Sequence, residues 1–219
     1  YHTMRLFQAA GLPDGVINVV YGHGEPVAKV CLDDANLAGI HFTGSTRVFQ
    51  SLWRGVGERI ERYKSYPRIV GETGGKDFVF AHPSADLDAL AVALVRGAFE
   101  FQGQKCSAAS RAYVPRSMAA GLRERLVALV AELRMGDVND FRNFMGAVID
   151  QRAHARLSGW LERMNREGKA LTGGKAPSES GWFVEPTIYE VEDPGHALFC
   201  EELFGPVLAL NFYDDAKVE

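Results

Sequence analysis

Apolar residues recur at intervals of three and four along Leu87, Leu90, Ala91, Leu94, Val95, Ala98 and Phe99, the period of a helix with one face in a core. Ser84 stands where a side-chain cap would start that helix, and Gly103 where a left-handed residue would end it. The same period predicts a helix over about 117–134, with Met118, Leu122, Leu126, Leu129, Val130 and Leu133 inward. Another follows Asp150, burying Leu157, Trp160, Leu161 and Met164, and the residues 4–10 read as a helix end. Ser45 reads as the N-cap of a helix over about 46–62. Continuous apolar or β-branched runs predict strands at 16–21, 38–42, 77–81, 112–115, near 182–191, and at 207–212. Strands alternating with amphipathic helices argue for α/β layers around a largely parallel sheet. A boundary near Gly74 divides the chain into 1–74 and 75–219.

Composition narrows the class. The 219 residues, 47% hydrophobic, suffice for one or two cores. A net charge of −4 leaves no basic footprint for nucleic acid, and no apolar run approaches a membrane span, so neither partner is expected. Cys31, Cys106 and Cys200 show no C-x-x-C spacing and form no ligand pattern with the six histidines, so no metal is expected. Reduced thiols fit a cytoplasmic setting, or the mitochondrial matrix in a eukaryote. Without a signal peptide or an initiator methionine, the chain is expected to begin in mid-fold at Tyr1.

Candidate chemistry centres on Gly103-Gln-Lys105-Cys106-Ser107, where a thiol follows a helix on a glycine-hinged loop. A thiolate is the reactive form, and a neighbouring cation such as Lys105 favours it; a buried, inert cysteine is the competing reading. Upstream, Glu72 lies in the run Val70-Gly-Glu-Thr-Gly-Gly-Lys76, whose glycines give an acid room to move. Gly22-His-Gly24 follows a strand prediction without a complete dinucleotide fingerprint, so an ordinary loop is equally consistent. Ser45 offers either a plain cap or, with the helix N-terminus behind it, a phosphate site. Glu201 and Glu202 read as a solvated edge on general grounds, although a carboxylate also suits a ribose diol.

Phe42-Thr-Gly-Ser45, Gly71-Glu-Thr-Gly-Gly-Lys76, Gly103-Gln-Lys-Cys106 and Glu201-Glu-Leu-Phe-Gly-Pro206 together resemble the aldehyde dehydrogenase superfamily in order and spacing. The wording of the second and third motifs resembles the branch that oxidises L-glutamate γ-semialdehyde. The resemblance implies the end of a Rossmann-type NAD-binding domain over 1–74, followed by an α/β catalytic domain over 75–219. It implies Cys106 as nucleophile and Glu72 as the base that activates water. Gly24, Gly44, Ser45, Glu202 and Phe204 would meet NAD, with Glu202 on a ribose and Phe204 on the nicotinamide. Lys105 and Ser107 are suited to hold the carboxylate end of a small aldehyde substrate. It also implies a homo-oligomer for the full-length enzyme, and further segments, one carrying an oxyanion asparagine and a ribose lysine, beyond these residues. Another semialdehyde dehydrogenase of the same superfamily, a thiol acyl hydrolase working without NAD, and an inactive fragment remain the alternatives. Phe49 departs from the family pattern, since many relatives carry glycine there, which unsettles the pose of the cofactor.

Overall fold

The computed structural model describes residues 1–168 and 170–218. The chain separates into two compact units, Tyr1–Thr73 and Gly74–Glu219.

In the first unit, α1 (His2–Ala9) precedes α2 (Gly24–Asp33), β1 (Gly39–Thr43), α3 (Thr46–Gly57) and β2 (Arg68–Glu72). β1 and β2 pair in parallel, with Gly39 opposite Arg68 and Thr43 opposite Glu72. Leu32 of α2 and Leu52 and Val56 of α3 form a small core, against which Ile40, Phe42 and Ile69 of the strands pack. Ser45 caps α3, its side chain accepting from the Val48 N–H at 3.4 Å. The helix stops at Gly57 and a 3₁₀ turn at Ile60–Arg62 follows, so the single helix expected over 46–62 is divided.

One expectation fails here, and one helix goes unanticipated. Residues 16–21 form no strand, and Val16, Val20 and Tyr21 are exposed. A strand needs a partner for its backbone groups, and none of the described strands pairs with this run. α2, by contrast, has no sequence expectation before it: its opening Gly24-Glu-Pro26 reads as loop, yet proline is tolerated in a first helical turn, where its missing N–H is not needed.

The second unit runs β3 (Phe78–Phe80), α4 (Leu87–Phe99), β4 (Arg111–Pro115), α5 (Ala119–Glu132), α6 (Gln151–Glu167), β5 (Thr187–Glu190), α7 (Ala197–Cys200) and β6 (Val207–Tyr213). Its four strands lie in the order β3-β4-β6-β5, all parallel. Successive side chains of a strand point to opposite faces. Leu208, Leu210 and Phe212 of β6 accordingly join Ala112 and Val114 of β4 and pack on α4 and α5. Val207 and Ala209 pack with Tyr189 of β5 on α6 and α7. Covering both faces is what a parallel sheet requires.

The helical stripes read from the sequence are the buried ones: Leu90, Leu94 and Phe99 in α4, Leu122, Leu126 and Val130 in α5, and Leu157, Leu161 and Met164 in α6. The start of α4 differs. Asp86, rather than Ser84, is the cap, accepting from the Ala89 N–H at 2.8 Å, while the Ser84 hydroxyl is 2.8 Å from His82 Nδ1. The strand expected near 182–191 is confined to Thr187–Glu190.

Candidate active site

α4 ends at Phe99, and the chain then enters a turn of inverted hand: Phe101, Gln102 and Gly103 all take positive φ, at 55°, 57° and 64°. For Phe101 and Gln102 that conformation is strained, because Cβ crowds the following carbonyl, at roughly 1–2 kcal/mol per residue. Gly103 has a steric reason as well, since a Cβ there would strike the carbonyl oxygens of Gly205 and Ala98. Sequence reasoning anticipates the left-handed glycine but not its two left-handed predecessors.

Beyond the turn, Cys106 and Ser107 are exposed, and all three cysteines are free thiols. Cys106 is therefore not a buried core cysteine among the described residues. Around it the backbone is tied down. The Ala108 N–H donates to the Lys105 carbonyl at 3.1 Å, and the Ala109 N–H to Gly97 at 3.0 Å. The Gln104 side-chain oxygen accepts from the Ile149 N–H at 2.9 Å. Gly75 lies so close to the Cys106 carbonyl that a Cβ would collide with it.

Glu202 is joined to the same strip of glycines. Its Oε1 accepts from the Gly75 N–H at 3.0 Å, and its carboxylate fills the space a Cβ on Gly74 would need. Phe204 has a positive φ of 51° and keeps its ring 41% exposed, while neighbouring Leu203 is buried. Gly75, Gly103, Lys105, Glu202, Phe204 and Gly205 line one shallow groove of the second unit.

The ammonium of Lys105 is engaged with Glu100, Nζ to Oε2, at 2.7 Å. The cation that the sequence offers to the thiol is thus already paired. Arg96 holds the other oxygen of Glu100 at 2.9 Å, and these two partners keep the Glu100 carboxyl below its ordinary range. Glu100 has no role in the sequence reading, because a spacing of five residues is not a helical neighbour distance.

Two basic residues next in sequence to Gly75 and Ser110 of the groove have no role in the sequence reading either. Arg111 donates from Nε to the Lys76 carbonyl at 2.9 Å and from a terminal nitrogen to the Phe199 carbonyl at 3.1 Å, and it lies over the Phe78 ring. Lys76 has its pKa lowered to about 8, first by burial and then by the charge of Arg111, with Glu202 opposing. Lys76 ends the second motif and Arg111 stands five residues after Cys106, but only the folded chain gives them partners.

In the first unit, Glu72 is exposed and ends β2, its carbonyl accepting from the Gly44 N–H at 3.1 Å. Gly44 fits closely, a Cβ there falling 2.6 Å from the Phe42 ring, and Ser45 follows as the cap of α3. Gly24 opens α2 with open space where a Cβ would stand, so its own unit gives no steric reason for glycine. Phe49 turns its ring onto Gly71 and stacks on Phe42, with ring centres 6.0 Å apart. The residue that departs from the family pattern is thus packed within its own unit.

Comparison with known proteins bears on what such a site does. The family model described as "Aldehyde dehydrogenase family" matches residues 1–218. The chain is 45% identical to the mitochondrial delta-1-pyrroline-5-carboxylate dehydrogenase of Dictyostelium discoideum, over 96% of its own length and 38% of that protein's. Its fold is similar to the crystal structure of delta-pyrroline-5-carboxylate dehydrogenase from Mycobacterium tuberculosis bound with NAD, with 50% identity and a TM-score of 0.92, covering 99% of this chain and 40% of that one. The NAD-bound 1-pyrroline-5-carboxylate dehydrogenase from Thermus is similar at 31% identity and a TM-score of 0.91, over 99% of this chain and 42% of that one. The chain thus spans about two fifths of the length of the relatives it matches.

Proposed function

The chain belongs to the aldehyde dehydrogenase family, and from that premise we propose that the protein carrying it oxidises L-glutamate γ-semialdehyde, the open form of 1-pyrroline-5-carboxylate, to L-glutamate with NAD. The observation that carries this reading is the Cys106 loop, a solvent-open thiol on a backbone held by hydrogen bonds at Gln104, Ala108 and Ala109, in the same unit as the groove lined by Lys105, Glu202 and Phe204. The names and NAD-bound states of the relatives support it.

In this reading the Cys106 sulfur adds to the aldehyde carbon, turning a planar carbonyl into a tetrahedral thiohemiacetal whose hydrogen can leave with its electron pair. A bound NAD would supply the acceptor for that hydride. The adduct is then a thioester on Cys106, and Glu72 accepts a proton from the water that hydrolyses it. The Cys106 N–H would donate to the oxygen of each adduct. Lys105 and Ser107 bind the distal carboxylate of the substrate.

The residues present fit the dinucleotide. The Ser45 side chain takes the Val48 N–H, and the Thr46 and Arg47 N–H groups at the start of α3 are left to suit a pyrophosphate. Glu202 has one oxygen on Gly75 and a second left to accept from a ribose hydroxyl. Phe204 presents an exposed ring suited to a flat heterocycle. We assign the first unit to the NAD-binding domain from the Gly44-Ser45 turn that opens α3, and the second, which carries Cys106 and adds Glu202 and Phe204 to the cofactor contacts, to the catalytic domain.

The test is NADH formation from glutamate semialdehyde by the enzyme that contains this sequence. Cys106→Ser is expected to abolish it. Glu72→Gln is expected to keep a first-turnover burst of NADH while slowing the steady rate. Ester hydrolysis by the Cys106 thiol with no NADH formed from any aldehyde would replace this reading with a hydrolase.

A further inference from the structure

Three charged side chains stand in a row at the end of α4. Arg96 and Glu100 are one helical turn apart and pair at 2.9 Å, and the other oxygen of Glu100 takes the ammonium of Lys105 at 2.7 Å. Five residues separate Glu100 from Lys105, and the contact exists because Phe101, Gln102 and Gly103 reverse the hand of the chain and fold it back on the helix end. Lys105 is the residue immediately before Cys106, and it also lines the groove of the second unit. All three side chains are substantially open to solvent.

On the reading that the substrate is an aldehyde bearing a carboxylate, we propose that Glu100 is a positioning residue for Lys105: it clips the ammonium to the end of α4, so that the ammonium receives the substrate carboxylate from a fixed place beside the thiol loop. A lysine side chain on a free loop gives up rotamer freedom when it binds an anion; one already held at its tip gives up less. An ammonium has three donors, and Glu100 occupies one. Arg96 completes the device. It shares the Glu100 charge, so the three groups together keep one net positive charge, which one substrate carboxylate neutralises. A Glu100–Lys105 pair alone would be neutral and would draw an anion poorly.

The opposite role is physically distinct. If Glu100 were merely a competitor for the ammonium, removing its negative charge would improve the binding of an anionic substrate. The sign of the change therefore decides.

The experiment compares KM and kcat for glutamate semialdehyde and for a neutral straight-chain aldehyde of the same length, using the whole enzyme as wild type, Glu100→Gln and Arg96→Gln. Exposed ion pairs of this kind are worth up to about a fivefold change in an equilibrium. Glu100→Gln is expected to raise KM for the carboxylate-bearing aldehyde by about twofold to fivefold, with kcat held and the neutral aldehyde unaffected. Arg96→Gln should act in the same direction. Equal changes for the two aldehydes would reduce Glu100 to a loop tie and overturn the proposal. So would an unchanged or lowered KM for the carboxylate-bearing one. Oxidation of the neutral aldehyde alone by the wild type would remove the carboxylate site while leaving the dehydrogenase reading standing. Failure of the wild type on both aldehydes would remove that reading, and this one with it.

Discussion

The two units are built from the same parts, parallel strands with helices between them, yet they bury those parts differently. In the second unit, every residue of β6 from Val207 to Phe212 is buried, because α4 and α5 cover one face of the sheet and α6 and α7 the other. In the first, β1 and β2 have helices over one face, and alternate residues such as His41 and Val70 stay open, Val70 at 51%. Its core reduces to Leu32, Leu52 and Val56 with their half-buried neighbours. Since stability follows apolar area removed from water, the second unit holds the larger share. The thiol loop, Glu202 and Phe204 stand on that better-buried frame.

The largest test of this difference is a matched pair of core truncations. Leu94→Ala removes a wholly buried side chain between sheet and helix, and is expected to cost about 3–5 kcal/mol in denaturant unfolding. Leu52→Ala, in the sparse core, is expected to cost about 2 kcal/mol. Equal losses would break the comparison. A second pair concerns glycines. A methyl on Gly75 meets the Cys106 backbone, which cannot turn aside, whereas on Gly71 it meets the Phe49 ring. Gly75→Ala should cost about 1–3 kcal/mol and change the alkylation rate of Cys106. Gly71→Ala should cost less, as the ring moves away.

Smaller effects sharpen the picture locally. Asp86→Ala should lose about 1 kcal/mol through the cap of α4, and Ser84→Ala a few tenths. A reversed order would restore Ser84 as the cap. Acid should reach the first unit through Asp33, whose pKa is lowered to about 2 by hydrogen bonds from Lys29 and Arg59. A depressed carboxyl stabilises the fold above its unfolded value near 4, and that contribution fades as pH falls toward 2. Asp33→Asn should flatten the acid limb over that window. Lys76 acts at the other end in the second unit. Its folded pKa of about 8 lies below the unfolded 10.5, so its contribution to stability should grow as pH rises between them. Lys76→Met should remove that rise.

The three long helices were legible because each carries a stripe at helical period, and the order of motifs pointed to the family before any fold was known. What escaped depends on partners that period and composition do not encode. β-branched content at 16–21 signals a strand, but a strand is a property of a pair, and the described residues supply no mate. α2 hid behind glycine and proline at its start. Lys105 read as a free cation because its contact with Glu100 exists only after the chain has reversed its hand. Phe49 read as a gap in a motif, whereas its ring rests on Gly71 and Phe42, residues the fold brings beneath it.

A right-handed helix grows by adding residues of its own hand, each new hydrogen bond following cooperatively on the last. Phe101, Gln102 and Gly103 set a mirror-image segment across that path. Winding or fraying of α4 therefore halts at this boundary and is not passed on as a change of register in the thiol loop. What coupling remains runs through the Ala109 N–H on the Gly97 carbonyl and the Lys105–Glu100 pair, so loosening the last turn of α4 should change the alkylation rate of Cys106, whereas a substitution in the middle of the helix should alter amide exchange there with a smaller effect on the thiol.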